Sequence, residues 1–377
     1  MKFWKETLKS AKYVMAPMVD QSELAWRILC RRYGVELCYT PMLHARLFGN
    51  EQNQKYRDEN FTTIPEDRPL IAQFCANDPE VLLKAALKVQ DQCDAIDINL
   101  GCPQNIAKKG FYGAFLQDEW DLIESMVKKL AEGLKIPVTC KIRIFDDVEK
   151  TLRYAQMLEK AGCSLLAVHG RTREQKGHNT GLADWDQIKR IVETVNIPVF
   201  ANGNVLNLKD ADKCLEYTKC VGVLSAEGNL YNPAIFSGKN PRIHEMVDEY
   251  LEICKEHQPP ISFIRGHLFK MFKPCLNMFP EQRNALGRVK SFDEMLTVAE
   301  DFKKQLIELE NSKPDYESDF PPWVCQPYIR PLPVAQGPKC GKCDYNVGSL
   351  NCSMELCKKC CIDSACESHA TVKKIKV

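Results

Sequence analysis

Over roughly the first 230 residues, short apolar runs alternate with longer amphipathic segments, and eight such pairs can be counted. The intervening segments, such as "PEVLLKAALKVQDQ", repeat apolar residues at i, i+3 and i+4, and several end in glycine. The strand-like runs are "YVMAPMV", "ELCYTPM", "PLIAQFC", "AIDINLG", "PVTCKIRIF", "LLAVHGR", "PVFANGN" and "GVLSAEG". Eight β-then-α units predict an α/β fold of the (β/α)8 or TIM barrel type, with an open doubly wound sheet as the alternative.

The composition suits a protein with a sizeable core. The chain has 377 residues, 45% of them hydrophobic, and a formal net charge of +1. A charge this small says nothing about a nucleic-acid partner, so only local basic patches could indicate one. No apolar run is long enough to span a membrane, and the N-terminus lacks the apolar core of a signal peptide. We therefore expect no membrane association, a cytoplasmic and/or nuclear location, and no obligate protein partner.

The pattern changes after the eighth unit. Helical segments without strands between them predict a small all-helical domain over residues 243–312, following the barrel at 1–242. Residues 313–338 are rich in proline and predict an extended linker. Residues 339–377 contain a crowd of cysteines and end in a basic tail.

Polar or flexible residues follow seven of the eight predicted strands. In a (β/α)8 barrel the C-terminal strand ends meet at one mouth, where active sites lie. A ring of amides, cations and a thiol converging there is hard to explain without a ligand. The residues are Pro17, Met18, Gln73, Asn99, Cys102, Lys141, Arg143, His169, Arg171, Asn202, Gly203, Asn204, Ala226, Glu227 and Gly228.

The nature of that ligand is indicated by the last two strand ends. "ANGNV" and "SAEGN" stand where such barrels commonly bind a phosphate through backbone N–H groups, although ordinary tight turns are the alternative. Lys141 and His169 could hydrogen-bond an electron-accepting ring, and Gln73 and Asn202 an amide-rich edge. These residues favour a phosphorylated planar cofactor, and FMN fits.

Cys102 differs from the other scattered cysteines. Of 19 cysteines, twelve are scattered along the chain, mostly inside apolar runs, where they behave as small buried hydrophobic residues. Cys102 lies beyond the strand "AIDINL" in a Gly-Cys-Pro turn. A thiol held there would reach a substrate and could act as a proton donor; a structural thiol is the alternative.

Seven motifs, kept in order and spacing, resemble those of the tRNA-dihydrouridine synthase family. They are "APMVDQSELAWR", "QFCANDPE", "DINLGCPQ…KKGFYGAFL", "CKIRI", "VHGRT", "ANGNV" and "SAEGNLYNPAIF". "NLGCP" with its downstream "YGAFL" is the most specific of them. The likeness is to the eukaryotic branch acting on positions 16 and 17 of the tRNA D-loop, and it extends from about residue 11 through the helical region.

The resemblance implies an FMN-dependent enzyme whose flavin is reduced by NADPH or NADH. Hydride would pass from flavin N5 to C6 of a tRNA uridine, and Cys102 would protonate C5. By motif position, Asn99, Lys141 and Arg143 would approach the uracil, which must leave its stack. The implied FMN contacts are Pro17, Met18, Val19, Gln73, Lys141, His169, Asn202, Gly203, Asn204, Ala226 and Glu227.

Two further regions would contact RNA. Arg171 and Lys176 lie in the glycine-bearing loop "RTREQKGHNTG", which is long enough to act as a lid. In the helical region, "FIRGHLFKMFK" alternates aromatic residues with Arg265, His267, Lys270 and Lys273, and the resemblance favours phosphate binding over an ordinary solvated helix face.

One position departs from the family pattern. Many members carry Gly-Arg-Gly after the eighth strand, whereas this chain has Ala226-Glu227-Gly228. A carboxylate is unfavourable beside a phosphate, so backbone N–H groups would have to bind it, and the assignment of the Glu227 side chain stays open.

The cysteine crowd predicts zinc. Two C-x2-C pairs, one C-x2-H and two further cysteines supply eight ligands, enough for two tetrahedral sites, with a single site and spare thiols as the alternative. The ligands are Cys340, Cys343, Cys352, Cys357, Cys360, Cys361, Cys366 and His369. A piece of about 30 residues without a core would need metal to fold. We interpret it as an auxiliary RNA or protein contact.

Two other functions remain open from the sequence. A flavin barrel that reduces a free pyrimidine or an enone would keep the FMN residues and Cys102, but would not explain the helical and cysteine-rich regions. A non-catalytic RNA-binding protein would keep those regions without using the thiol.

Overall fold

The computed structural model describes residues 1–313 and 316–329. Its strands are β1 Tyr13–Met15, β2 Leu37–Tyr39, β3 Leu43–His44, β4 Leu70–Cys75, β5 Ala95–Leu100, β6 Val138–Arg143, β7 Leu166–His169, β8 Val199–Asn202 and β9 Gly222–Ser225. The helices up to the last strand are α1 Lys2–Glu6, α2 Leu24–Arg32, α3 Ala45–Gly49, α4 Gln54–Asn60, α5 Pro79–Leu87, α6 Asn105–Gly110, α7 Trp120–Gly133, α8 Val148–Lys160, α9 Trp185–Thr194 and α10 Leu208–Thr218. They are followed by α11 Glu227–Tyr231, α12 Ile243–Glu256, α13 Ile261–Met271, α14 Pro280–Arg288 and α15 Phe292–Ser312. Single 3₁₀ turns cover Gln90–Gln92, Gly113–Leu116, Gly177–Asn179 and Ile235–Ser237.

Eight parallel strands close into a barrel. Each of β4 to β8 pairs with the next strand in sequence, β9 pairs with β1, and β1 pairs with β2. The ring closes because β2 also pairs with β4, where Cys38 lies opposite Leu70. The short strand β3 continues the second barrel strand after a break and pairs with the outer part of β4. The predicted barrel is confirmed, and the open sheet is excluded by the closing pair.

Strand β5 shows how the sequence is divided between the two faces of the barrel wall. Successive side chains of a strand point to opposite faces. Ile96, Ile98 and Leu100 belong to the large core beneath the surrounding helices. Ala95, two residues before Asp97, belongs to a separate apolar cluster inside the barrel. Both faces are buried, which explains why the strands have near-continuous apolar sequences.

The interior of the barrel changes from apolar to polar along its axis. The apolar cluster inside it draws one or more side chains from most strands, and Phe3 and Trp4 of α1 pack against it. Its members on the strands and their flanks include Val14, Leu37, Ile71, Ala95, Leu165, Ala167, Phe200 and Leu224. Further toward the C-terminal strand ends the inward positions are occupied by Gln73, Asp97 and Thr139, all fully buried. The barrel is therefore packed at one end and polar toward the other.

Side-chain caps set the beginnings of several outer helices. Asp78 accepts hydrogen bonds from the N–H groups of Glu80 and Val81 at the start of α5. Asp147 and Asp184 do the same for α8 and α9. Such caps supply acceptors to N–H groups that have no partner within the helix, and each stabilises by about 1 kcal/mol.

The helices α12 to α15 pack beside the barrel in the same compact unit, which covers Met1–Tyr328. Part of the segment predicted as a linker also packs there: Trp323 and Cys325 are buried, and Val324 forms a β-bridge with Arg242. In the described part of the chain, no helix is both long enough and apolar enough to cross a membrane. The eight predicted zinc ligands lie outside the described residues.

Candidate active site at the barrel mouth

Cys102 stands at the edge of the barrel mouth, which we define as the C-terminal strand ends and the loops that follow them. Strand β5 ends at Leu100, and Gly101, Cys102 and Pro103 form the turn after it. Cys102 is half-buried, whereas the other eleven described cysteines are buried. The thiol is thus placed where a bound molecule could reach it, and the other described thiols are packing groups.

The backbone around Cys102 depends on a glycine further along the chain. The N–H of Ala114 donates to the carbonyl of Cys102 at 3.1 Å. Gly113 has φ +65°, and a Cβ there would lie 2.8 Å from the Cys102 carbonyl oxygen. Only glycine fits both the positive φ and this close approach. The "YGAFL" part of the motif therefore supports the turn that carries the thiol.

Two amides behind Cys102 are joined to each other. Asn99 accepts at Oδ1 from the backbone N–H of Cys102 at 2.9 Å and from that of Gly101 at 3.2 Å. Its Nδ2 donates to Oε1 of Gln73 at 2.8 Å. Gln73 in turn donates from Nε2 to Asp97 at 2.8 Å. Gln73 and Asn99 are predicted from the sequence as mouth residues, but Asp97 is not, although a carboxylate at an inward position of a buried strand is a signal that the sequence contains.

Lys141 lies beside these amides, on β6, where it is the register partner of Asn99 on β5. Its Nζ donates to Oδ1 of Asn202 at 3.0 Å, and Asn202 donates from Nδ2 to the carbonyl of Leu224 at 3.0 Å. Burial, with Arg143 nearby, lowers the pKa of Lys141 to about 8. The group is still cationic at neutral pH, and its ammonium has further N–H groups to donate.

His169 is held as a neutral ring. Burial, together with Lys141, Arg143 and Arg171, lowers the pKa of His169 well below its usual value. The guanidinium of Arg171 lies 2.9 Å from Nε2. Because arginine can only donate, Nε2 accepts and the proton of the neutral ring is on Nδ1. Arg171 also donates to Oδ1 of Asn204 at 2.6 Å.

Arg143 contacts the backbone of two loops. Its Nε donates to the carbonyl of Gly101 at 2.8 Å, and Nη1 donates to the carbonyls of Thr172 at 2.7 Å and Gln175 at 3.2 Å. Burial, with Arg171 nearby, lowers the pKa of Arg143 to about 10, so it remains charged. In this structure Arg143 joins the Cys102 turn to the 171–181 loop.

Lys176 adds a second connection between the same loops. Its Nζ donates to the carbonyl of Pro103 at 2.7 Å and lies 5.6 Å from the centre of the Phe115 ring. The 171–181 loop is thus connected to the two neighbours of Cys102, to Gly101 through Arg143 and to Pro103 through Lys176. A cation and an aromatic ring therefore stand beside the Cys102 turn.

The remaining predicted cofactor residues occupy turns around the mouth. Pro17 and Met18 are half-buried after β1, and Val19 is exposed. Gly203 and Asn204 both have positive φ after β8, where a Cβ on Gly203 would lie 2.6 Å from that of Ala183. Ala226 precedes helix α11, and Glu227 is its first residue. The structure therefore brings the predicted ring together at one end of the barrel.

The two predicted RNA contacts on α13 interact with residues outside this ring. Arg265 donates to the carbonyl of Val289 at 2.8 Å, and the Nζ of Lys270 lies 5.2 Å from the ring centre of Tyr231. Both are half-buried, and Lys273 is exposed. His267, taken as part of the same basic face, is fully buried and stacks on Trp26, with 3.9 Å between ring centres. His267 therefore cannot belong to that face, because α13 turns it toward the barrel.

The donors at the mouth suit a flavin. Its pyrimidine edge presents carbonyl oxygens and ring nitrogens, which amides, an ammonium and a neutral imidazole can hydrogen-bond. That set would be supplied by Gln73, Lys141, His169 and Asn202. The ammonium of Lys141, with a pKa of about 8, would supply positive charge to a reduced, anionic flavin bound there. The residues present therefore fit the group implied by the sequence.

A family model described as "Dihydrouridine synthase (Dus)" matches residues 14–313. The chain belongs to this family. The family domain covers the barrel and the helices α12 to α15. The resemblance stated from the motifs is confirmed.

Named relatives of this dihydrouridine synthase family member cover most of its length. A rat protein named "tRNA-dihydrouridine(16/17) synthase [NAD(P)(+)]-like" is 52% identical over 360 residues, or 94% of this chain and 81% of the relative. The Schizosaccharomyces pombe "tRNA-dihydrouridine(16/17) synthase [NAD(P)(+)]" is 50% identical over 86% of this chain and 89% of its own. A human "tRNA-dihydrouridine(20a/20b) synthase [NAD(P)+]-like" is 39% identical over 75% of this chain and 89% of its own.

Proposed function

We propose that this protein reduces uridine to 5,6-dihydrouridine in the D-loop of tRNA. The observation that carries the proposal is the placement of a single half-exposed thiol, Cys102, at the edge of a barrel mouth furnished with flavin-compatible donors. Positions 16 and 17 are favoured because relatives named for them are 46–54% identical, against 39% for the human relative named for 20a/20b.

The reaction consumes one hydride and one proton per uridine. Bound FMN, kept reduced by NADPH or NADH, supplies the hydride that C6 receives. The Cys102 thiol donates its proton to C5 and is then reprotonated from solvent. General acid catalysis of this kind contributes about 10²- to 10⁴-fold. The chain's task is to hold the thiol against C5 and to exclude competing water.

The cofactor would lie across the ring of mouth residues. Its ring would accept or donate hydrogen bonds at four side chains, those of Lys141, His169, Gln73 and Asn202. The turn at Pro17, Met18 and Val19 would also contact the ring. Backbone N–H groups around Gly203, Asn204, Ala226 and Glu227 would receive its phosphate, since no arginine follows β9. Asn99 and Arg143 would approach the uracil after the nucleotide leaves its stack. Arg171 and Lys176 would contact RNA from the 171–181 loop.

We assign tRNA binding also to the helical domain, residues 243–312. Arg265 and Lys270 are half-buried cations on α13, and α13 abuts the loop after β1: a Cβ on Gly266 would lie 2.5 Å from Nε2 of Gln21. Replacing Arg265 and Lys270 by glutamate should weaken tRNA binding about tenfold or more and reduce its salt dependence. The matched control reverses Lys213, a lysine of α10 on the barrel flank. Equal effects of both changes would contradict the assignment.

The C-terminal segment, 339–377, is proposed to bind one or two Zn²⁺ ions after the linker 313–338. The support is the ligand spacing in the sequence, since cysteine and histidine at such intervals suit tetrahedral zinc. Metal analysis of full-length protein purified without chelator should give one to two zinc ions per chain. A value near zero, with the segment intact by mass spectrometry, would contradict it.

Two experiments test the main proposal. Purified protein should carry FMN and, with NADPH or NADH, convert D-loop uridines of unmodified tRNA, as read by mass spectrometry of nuclease fragments. Free uridine and a uridine mononucleotide should stay unreduced. Reduction of the free pyrimidine with tRNA untouched would favour the small-molecule reductase instead, and tRNA binding without flavin would favour a non-catalytic protein.

The cellular counterpart is tRNA from cells that lack the protein. We infer action in the cytoplasm and/or nucleus without an obligate protein partner, so activity should be complete with the purified chain alone. Loss of dihydrouridine at positions 16 and 17, with 20a and 20b unchanged, is the expected result.

A further inference from the structure

A buried line of hydrogen bonds runs from the interior of the barrel to the turn that carries Cys102. It begins at Asp97, which is fully buried on β5. The two carboxylate oxygens accept from the hydroxyl of Thr139 at 2.6 Å and from Nε2 of Gln73 at 2.8 Å. The line continues through the amides of Gln73 and Asn99 and ends at the N–H of Cys102.

Both ends of this line have a fixed polarity. A backbone N–H can only donate, and an ionised carboxylate can only accept. Each primary amide between them therefore has one orientation that satisfies both neighbours. The Oδ1 of Asn99 already accepts two bonds, from Gly101 and Cys102, so Asn99 has only N–H left to offer. Asn99 can thus bond a carbonyl oxygen of a ligand but not a ring N–H.

The carboxylate is ionised under ordinary conditions. Burial raises the pKa of Asp97 to about 6, against the opposing effects of Thr139, Gln73 and the charge of Lys141. Lys141 projects from the adjacent strand β6, and the buried Tyr39 of β2 also senses the charge. Keeping a buried carboxylate is costly for stability. Structural packing alone would be served as well by an uncharged residue.

We propose that Asp97 is a positioning residue: its carboxylate fixes the orientation of the Gln73 and Asn99 amides and, through them, the backbone that holds the Cys102 thiol. The inference deepens the proposed function and rests on it for the identity of the substrate. A change in the Cys102 turn can be detected without substrate, because it alters the rate at which the Cys102 thiol is chemically modified.

A double-mutant cycle separates orientation from packing. In Asp97→Asn the new amide can turn its oxygen to Gln73, because its NH₂ can donate to the Thr139 hydroxyl. In Thr139→Val the carboxylate remains and still accepts from Gln73. With both changes the Asn NH₂ loses its acceptor at residue 139, so the orientation of the amide at residue 97 is no longer fixed. A line reversed from that end would set the NH₂ of Asn99 against the N–H groups of Gly101 and Cys102, and this conflict would disturb the Cys102 turn.

The full-length, FMN-loaded protein is tested in two assays. Each single variant should lower kcat for tRNA reduction by less than about tenfold, and the double variant by at least about 10³-fold, well beyond the product of the singles. Without tRNA, the rate of iodoacetamide modification at the peptide carrying Cys102, followed by mass spectrometry, should change at least about threefold in the double variant only. Flavin absorbance and thermal unfolding report whether each variant is folded.

The outcomes are distinct. Multiplicative effects on kcat, or unchanged Cys102 labelling in a folded double variant, would overturn the role of Asp97. If wild-type protein does not reduce tRNA, the proposed function fails while the labelling assay still decides the positioning role. If the double variant does not fold, Asp97→Asn is combined instead with Thr139→Ser, which keeps a hydroxyl acceptor at residue 139. This variant must show the same Cys102 labelling rate as Asp97→Asn alone. A different rate overturns the inference.

Discussion

The mouth residues differ in how their hydrogen-bonding groups are used. Arg143 donates to three backbone carbonyls, at Gly101, Thr172 and Gln175, so it acts first as a connection between loops. Lys141 makes one bond, to Asn202, and has further N–H groups for a ligand. The sequence placed both cations at the mouth, but only the tertiary contacts distinguish the connecting role of Arg143 from the unused N–H groups of Lys141.

Replacing Cys102 tests the thiol at the scale of one residue. Cys102→Ala should lower the rate of dihydrouridine formation by about 10²- to 10⁴-fold, because no other thiol in the described chain is exposed enough to give its proton. FMN content and tRNA affinity should be unchanged. The control is Cys220→Ala, a buried thiol remote from the mouth, which should keep nearly full activity. A rate in Cys102→Ala equal to that of the control would remove the proton-donor role.

The ionisation of Asp97 predicts a pH-dependent stability. Because the folded pKa, about 6, lies above the unfolded value near 3.8, the folded state binds more protons between these values. Stability from this group is therefore greatest below pH 4 and is lost as the pH rises through 6. Asp97→Asn has no group that titrates at residue 97, so the variant does not lose this stability as the pH rises. The free energy of unfolding of the variant minus that of wild type should therefore increase by about 1 kcal/mol from pH 5 to pH 7.

Urea titrations at several pH values measure this difference. Asp91→Asn, which removes an exposed carboxylate before β5, serves as the control. Parallel curves for Asp97→Asn and wild type would mean that the carboxylate is not protonated near pH 6 in the folded protein.

At the scale of elements, the turn after β5 is built by three pieces of chain. Strand β5 supplies Asn99 beneath the turn, the 3₁₀ turn that begins at Gly113 supports it from the side, and the 171–181 loop reaches it through Lys176. The thiol is thus fixed by elements distant in sequence. A loop held this way is suited to general acid catalysis, which needs the donor within hydrogen-bonding reach of its target.

Gly113→Ala should disrupt this arrangement. The new Cβ would meet the Cys102 carbonyl oxygen at 2.8 Å, in addition to the cost of a positive φ. We expect a loss of about 3 kcal/mol in the free energy of unfolding and a change in Cys102 labelling. Gly177→Ala is the matched control, because Gly177 has φ +59° and nothing within 4 Å of the added Cβ. It should cost only about 1–2 kcal/mol and leave labelling unchanged. Equal losses would mean that φ, not the contact, matters.

At the scale of the whole molecule, the helices are joined to the barrel by a buried polar cluster. Glu23, at the start of α2, accepts from the hydroxyl of Tyr250 at 2.7 Å and lies 3.0 Å from Nε2 of His267. Burial raises the pKa of Glu23, but His267 and Tyr250 outweigh it and lower the pKa overall. The stacking of Trp26 on His267 completes the contact. The position of α13 beside the mouth depends on this cluster.

Glu23→Ala should therefore cost about 3–5 kcal/mol, since it leaves His267 and Tyr250 buried without their acceptor. Glu23→Gln keeps an oxygen for Tyr250 and should cost about 1 kcal/mol. Denaturation followed by tryptophan fluorescence and by circular dichroism should show one shared transition. Two separate transitions, with little change on mutating Glu23, would show that the helices fold independently of the barrel.

The sequence by itself determined the alternation of strands and helices, because periodicities of 2 and 3.6 residues and glycine stops are local properties of the chain. It also identified Cys102 and most of the mouth ring, because in a (β/α)8 barrel a position at a strand end implies a position at the mouth. The family motifs then added the chemistry.

Only the tertiary structure decided which partners these residues have. In the sequence, Asp97 is only a polar residue within an apolar strand. Its hydrogen bonds to Gln73 and Thr139 exist because the fold places β4 and β6 on either side of β5. His267 looked like one more base on a helix face until packing turned it onto Trp26. Hydrogen bonds and stacking between distant segments depend on distance and direction in space, and neither is written in the order of the residues.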